Sequence, residues 1–229
     1  MISWPVARAT LRERSRSGLS LLIAGMLTLS SLRSPPEQAF SGFGQALLIL
    51  FTLLLGAGLL ADELESGHAQ LVLLRPLTRA AWYGGRFAGA GLALLAGLSI
   101  AFAGSLLAAL LRGGGDGLGR QLLVLPVAFL WSLSWLSVIA AAGAVARAWT
   151  NAGLILIAGV GWALLGGLVR LARPEWGEPI ATVGKYLGPM QPLPLGPLEP
   201  LAYDLLWLFS AWLAGVLLLN RRELARRHG

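Results

Sequence analysis

Apolar residues in this chain run in long uninterrupted blocks, and polar residues gather in the segments between them. A helix that crosses the hydrocarbon core of a membrane needs about 20 predominantly apolar residues in a row. Five blocks free of acidic and basic residues approach or exceed that length, and a sixth is interrupted only by Asp204 near its start. The pattern therefore predicts an all-α membrane protein with six transmembrane helices, at 17–32, 38–61, 84–111, 121–146, 151–171 and 201–219.

The composition supports this prediction. Apolar residues make up 56% of the chain and charged residues 13%, against about 25% charged residues in soluble domains. The net charge of +7 does not indicate nucleic-acid binding, because the basic residues lie at the chain ends and beside the apolar blocks. Cysteine is absent, which excludes disulfides and cysteine-based metal sites.

The positions of the basic residues predict the orientation of the chain. Basic residues beside transmembrane helices are retained on the cytoplasmic side. With six crossings, one side of the membrane holds twelve of the 18 basic residues, namely Arg8, Arg12, Arg14, Arg16, Arg75, Arg79, Arg86, Arg147, Arg221, Arg222, Arg226 and Arg227. We therefore expect a multi-pass protein of the bacterial inner membrane with both termini in the cytoplasm.

The first 16 residues predict an interfacial amphipathic helix. Ser3 followed by Pro5 is typical of a helix start. Helical spacing then gives two neighbouring stripes, one of Trp4, Ala7 and Leu11 and one of Arg8, Arg12 and Arg16. The alternative is a disordered basic lead-in that only sets the topology.

The segment 62–83, between the second and third predicted spans, combines charged and apolar residues in an unusual order. Three acids precede a glycine, an apolar run follows, and basic residues flank a proline: Asp62, Glu63, Glu65, Gly67, His68, Leu71, Leu73, Leu74, Pro76 and Arg79. An apolar run in a cytoplasmic loop needs a surface that buries it, so the pattern predicts a short helix presented to a protein partner. Alternatively, the run dips into the lipid headgroups.

The segment 172–200 precedes the last predicted span and is expected on the external side. It contains seven of the twelve prolines, at 174, 179, 189, 192, 194, 197 and 200. Proline lacks a backbone donor and fixes φ, so we expect extended or turn-like structure. The segment would either cap the external face of the helices or act as a tether.

The sequence predicts no catalytic, cofactor-binding or metal-binding residues. It lacks the phosphate-binding loop of ATPases, its one lysine is Lys185, and its two histidines are His68 and His228. The predicted spans lack the interior charges typical of ion-driven carriers. Asp204 is interpreted as an interfacial residue, with a coupling carboxylate as the alternative.

Trp131 and Trp135, four residues apart on one helix face, could line a cavity for an apolar substrate. Ordinary packing is the alternative for both. The Gly85-x-x-x-Gly89 pair predicts close packing of the third span against another helix.

The segment 62–83, together with Gly85 and Arg86 just after it, resembles the cytoplasmic loop after the second span in the membrane subunits of ABC type-2 transporters. The matching residues are Asp62, Glu63, Glu65, Gly67, Leu71, Leu73, Leu74, Pro76, Thr78, Arg79, Gly85 and Arg86. His68 stands where the family usually has threonine, and Arg86 where it usually has lysine. The order of the predicted elements along the whole chain is also similar to that family.

The resemblance implies a permease subunit of an exporter-type ABC transporter. In such a complex the segment from Asp62 to Arg79 would act as a coupling helix on a separate ATPase subunit, which binds ATP and magnesium, and a second permease subunit would complete the pathway. The substrate is not indicated. The competing hypothesis is a non-transporting subunit that anchors or assembles a larger membrane complex.

Overall fold

In a computed structural model of the protein, the described residues are 2–33, 38, 40, 43–65, 77–112, 122–145, 150–186, 189 and 199–226. All regular structure in these ranges is helical. The helices are α1 (Trp4–Arg16), α2 (Gly18–Arg33), α3 (Phe43–Gly56), α4 (Ala61–Glu65), α5 (Arg79–Leu111), α6 (Val124–Gly143), α7 (Thr150–Ala172), α8 (Gly177–Tyr186) and α9 (Glu199–Arg226).

Three helices in this part of the chain are long and apolar enough to cross a membrane. They are α5, α6 and the Leu201–Arg221 portion of α9. Helices α2 and α3 are apolar but shorter, with 16 and 14 residues. The predicted all-α membrane protein is thus confirmed in its general character, and six crossings remain a prediction.

The helix boundaries on either side of the segment 62–83 differ from the predicted span boundaries. Helix α3 ends at Gly56 rather than at residue 61, because the chain turns at 57–60 and Gly58 takes a φ of 65°. Glycine adopts such a φ without steric cost. Helix α5 begins at Arg79, five residues before the predicted 84, since the Thr78 hydroxyl accepts a hydrogen bond from the Ala81 amide at 3.2 Å and caps the helix.

The predicted extended structure of the proline-bearing segment is also wrong in its first half. A 3₁₀ turn at Pro174–Trp176 leads directly into the ten-residue helix α8. Both prolines in this stretch lie in the first turn of a helical element, where their missing amide hydrogens would have no partner in the helix. Most of the later prolines lie outside the described residues.

Helix α5 is the centre of the fold, with contacts to α1, α2, α3, α6 and α9. The C-terminal end of α2 contacts the C-terminal part of α5. There the Ser31 hydroxyl donates to the Ala101 carbonyl at 2.7 Å, and Arg112 Nη2 donates to the Leu32 carbonyl at the same distance. These two hydrogen bonds fix the C-terminal end of α2 against α5.

Cysteine labelling provides a direct test of the predicted orientation, because the natural chain has no cysteine. Arg12→Cys and Arg222→Cys are each expected to react with a membrane-impermeant maleimide only after the cytoplasmic side is opened. Thr182, exposed on α8, provides the matched control: Thr182→Cys is expected to react from the external side. External labelling of either arginine position would contradict the predicted topology.

Candidate functional site

Helix α1 packs directly against the start of α5. The Ser3 amide donates to the Ala81 carbonyl at 3.1 Å, so the two helix starts are joined through their backbones. A Cβ atom on Gly85 would lie 2.7 Å from the Ser3 carbonyl oxygen, and one on Gly89 would lie 2.6 Å from Cβ of Thr10. The Gly85-x-x-x-Gly89 pair therefore accommodates the N-terminal helix. The sequence predicted close packing at this pair but did not indicate which helix packs there.

Arg86 lies between these glycines and is the most buried charged residue of the region, with 6% of its side chain exposed. Its Nη1 donates to Glu13 Oε2 at 2.7 Å and to Thr10 Oγ1 at 3.1 Å, both on α1. Its Nη2 forms an ion pair with Glu63 Oε1 on α4. One guanidinium group thus joins three helices, using the planar set of donors that distinguishes arginine from lysine.

Arg14 links α1 to the turn that follows α3. Its Nη1 donates to the Ala57 carbonyl at 2.9 Å, in the turn that contains Gly58, and its Nη2 lies 3.8 Å from Glu13 Oε1. Burial lowers the pKa of Arg14, and the Glu13 carboxylate opposes that shift. The carbonyl and the carboxylate together stabilise the charged guanidinium.

We name Glu13, Arg14, Glu63 and Arg86 the charged junction. The two acids and two arginines balance in charge, and they connect the N-terminal helix, the acidic segment after α3 and the start of α5. The two arginines are largely buried, whereas Glu13 and Glu63 keep 53% and 24% of their side chains exposed, so losing one partner costs less than it would in a fully buried network. The junction nevertheless fixes the relative positions of these elements.

The predicted coupling residues lie on α4, at the start of α5, or outside the described residues. On α4, Asp62 is exposed, Glu63 belongs to the charged junction, and Glu65 is the last residue. Arg79 is the first residue of α5. The remaining predicted residues, Gly67, His68, Leu71, Leu73, Leu74 and Pro76, lie outside the described residues.

Sequence reasoning missed the contribution of α1 to this site. Glu13 is the one acid among the first 16 residues, where every other charged residue is arginine. An isolated acid in a basic segment is a signal that a buried cation needs a partner. Along the predicted apolar stripe of α1, Ala7 is fully buried and Trp4 is 51% exposed, and the neighbouring Thr10 is also fully buried.

A second polar feature lies where α6 packs against α9. The Ser134 hydroxyl donates to the Asp204 carbonyl at 2.8 Å, and Asp204 is only 4% exposed. Helix α9 begins before the predicted span and turns Asp204 toward α6, while the interfacial position of this residue stays a prediction. Its Oδ1 and the indole nitrogens of Trp131 and Trp135 are buried without a hydrogen-bond partner among the described residues.

Trp131 is 2% exposed and belongs to the hydrophobic core, as packing requires. Trp135 packs partly buried against the same core. Phe129 and Leu133 of α6 line a cavity of about 590 Å³, but neither of the two tryptophans lines it. A cavity lined by the two tryptophans stays a prediction.

Within the described ranges, no group of three or more acids, histidines or cysteines could hold a metal ion. Comparison of the chain with protein-family models and with curated proteins finds no match. The resemblance to ABC type-2 permeases therefore depends on the motif residues and on the order of the predicted elements.

Proposed function

We propose that this chain is the membrane-spanning permease subunit of an exporter-type ABC transporter, powered by ATP hydrolysis in a separate ATPase subunit. One observation carries the proposal: Glu63, in the acidic segment that begins the predicted coupling loop, is paired with the buried Arg86 of α5. A partner that moves this loop would therefore act on a membrane-crossing helix through an ion pair rather than through a flexible linker.

The charged junction connects α4 to two other helices, so a force applied to α4 would reach both of them. Arg86 binds α4 through Glu63 and α1 through Glu13, so a displacement of α4 pulls on both helices. A partner changes the conformation of a protein only by binding one state better than another. In this proposal, the ATP-driven states of the ATPase supply that difference, and a second permease subunit, identical or different, forms the pathway together with this chain.

The proposal is tested by the attachment of the ATPase. Leu73→Asp introduces a charge into the apolar run of the coupling loop, and the predicted contact would have to bury that charge. We expect the amount of ATPase that co-purifies with the chain to fall by about tenfold or more, which corresponds to ~1.4 kcal/mol of binding free energy. The measurement is quantitative mass spectrometry of all chains recovered from detergent-solubilised membranes.

Ser15→Asp provides the matched control, since it adds the same charge at an exposed position of α1 on the same predicted side. This variant is expected to retain the ATPase. Recovery of the unaltered chain without any nucleotide-hydrolysing partner, together with a stable set of other membrane subunits, would contradict the proposal and favour the anchoring hypothesis.

A further inference from the structure

An apolar groove lies beside the contact of α1 with α5 and is also bounded by α6 and α9. Every residue that lines it is glycine, alanine or a larger apolar residue, and its volume is about 590 Å³. Its lining includes Trp4 of α1, Phe87 and Ala88 of α5, Leu133 of α6, and Phe209 and Trp212 of α9. That volume lies in the range of about 300–1,000 Å³ typical of ligand sites.

The shape and position of the groove favour an elongated apolar occupant. Its lining on α5 extends from Gly84 to Leu92, which at 1.5 Å per residue corresponds to about 12 Å. Trp4 and Phe209 at its edges are 51% and 65% exposed. In a protein whose neighbouring helices can cross a membrane, exposed aromatic edges of this kind face lipid.

A positive charge lies at one end of the groove. The guanidinium carbon of Arg8 lies 5.5 Å from the centroid of the Trp4 ring, in a cation–π contact. Arg8, Arg12 and Arg16 are exposed and spaced four residues apart on α1. A basic amphipathic helix of this kind attracts anionic lipids, and arginine pairs with phosphate oxygens through two parallel hydrogen bonds.

We propose that the groove binds one acyl chain of an anionic phospholipid, with the headgroup phosphate at Arg8. The apolar lining selects the acyl chain, and Arg8 at the Trp4 edge selects the charge. Occupancy would fill the space between α1 and α9 and hold the N-terminal helix on α5. This inference does not depend on the proposed transport function.

Native mass spectrometry of the full chain in mixed micelles tests the proposal. The probes are phosphatidylglycerol and phosphatidylcholine with identical acyl chains. We expect one phosphatidylglycerol retained per chain and at least tenfold less phosphatidylcholine. Ala88→Phe fills the groove and is expected to lower the retained lipid at least tenfold, whereas Ala103→Phe, the same change at an exposed position of α5, leaves it unaltered.

Arg8→Gln separates the two parts of the proposal without touching the packed interior, because Arg8 is exposed. This variant is expected to retain phosphatidylglycerol and phosphatidylcholine equally. Equal retention of both lipids by the unaltered chain, or unchanged retention by a folded Ala88→Phe, would overturn the proposal. So would loss of self-association in Ala88→Phe at constant lipid content, since the groove would then hold a second copy of the chain.

Discussion

Arg86→Met is expected to lower the free energy of unfolding by about 1.5–3 kcal/mol, the contribution typical of hydrogen bonds to a charged group. The loss stays below that of a fully buried pair, because Glu13 and Glu63 are 53% and 24% exposed and water solvates them. Methionine fills similar space but leaves the Glu13 and Glu63 carboxylates without the cation that both contact. The loss is measured by thermal or denaturant unfolding of the purified chain in detergent. The same variant is expected to expose α1 to protease, because Arg86 joins α1 to α5.

Arg173→Met is the matched control for this prediction. Arg173 also pairs with an acid, Glu175, at 3.7 Å, but their side chains are 73% and 62% exposed. Exposed pairs contribute about 0–1 kcal/mol, so this variant is expected to change the unfolding midpoint little. A loss in Arg86→Met no larger than that in Arg173→Met would show that the charged junction is not a structural constraint.

A second substitution distinguishes lost charge pairing from lost packing. Adding Glu63→Gln to Arg86→Met removes the carboxylate that paired with Nη2 of Arg86, so we expect part of the stability to return. Recovery in the double variant, measured as a double-mutant cycle, would assign the effect to electrostatics. An additive further loss would assign it to packing instead.

Gly89→Val is expected to displace α1 from α5. A Cβ atom at this position would meet the Ala7 carbonyl oxygen and Cβ of Thr10, and backbone cannot give way as a flexible side chain can. Overpacking of this kind costs about 1–3 kcal/mol. Because the chain lacks cysteine, a Ser3→Cys and Ala81→Cys pair can report the contact, and we expect its oxidative cross-linking to fall sharply when Gly89→Val is added.

Gly104→Val is the control for that experiment, since it introduces the same side chain on the same helix. The nearest atoms to a Cβ there are side-chain carbons of Leu32 and Thr28 at 3.4 Å, within ordinary contact distance. Cross-linking between positions 3 and 81 is expected to continue unchanged in this background. Equal loss in both variants would mean that valine disturbs α5 itself rather than its contact with α1.

The sequence predicted the kind of fold well because membrane burial depends on uninterrupted apolar length, which is a local property. The start of α1 at Ser3 and Pro5 was equally local and is confirmed as a helix start. The end of α3 was not predictable in this way, because an apolar run continues through 57–60 while Gly58 turns the backbone. Hydropathy contains no signal for that turn.

The candidate site was predicted only in part, because its members are far apart along the chain. Glu63 was singled out for a partner protein, yet its contact in the structure is Arg86 of the same chain. Arg14 was interpreted only as one of the basic residues that predict the orientation, and Glu13 was not singled out. Glu13 and Arg86 are 73 positions apart, so their pairing depends on how the helices pack. The spacing of residues within one segment contains no information about that packing.

The length of α5 has a mechanical consequence. Its 33 residues contain no proline and extend about 50 Å at 1.5 Å per residue, whereas the apolar interior of a bilayer is about 30 Å thick. Placed across a bilayer, a helix of this length would project beyond the apolar interior, with Arg86 near one end and Arg112 just past the other. In that arrangement, a tilt imposed at the Arg86 end would be transmitted to the opposite membrane surface, where the Leu32 carbonyl of α2 accepts a hydrogen bond from Arg112.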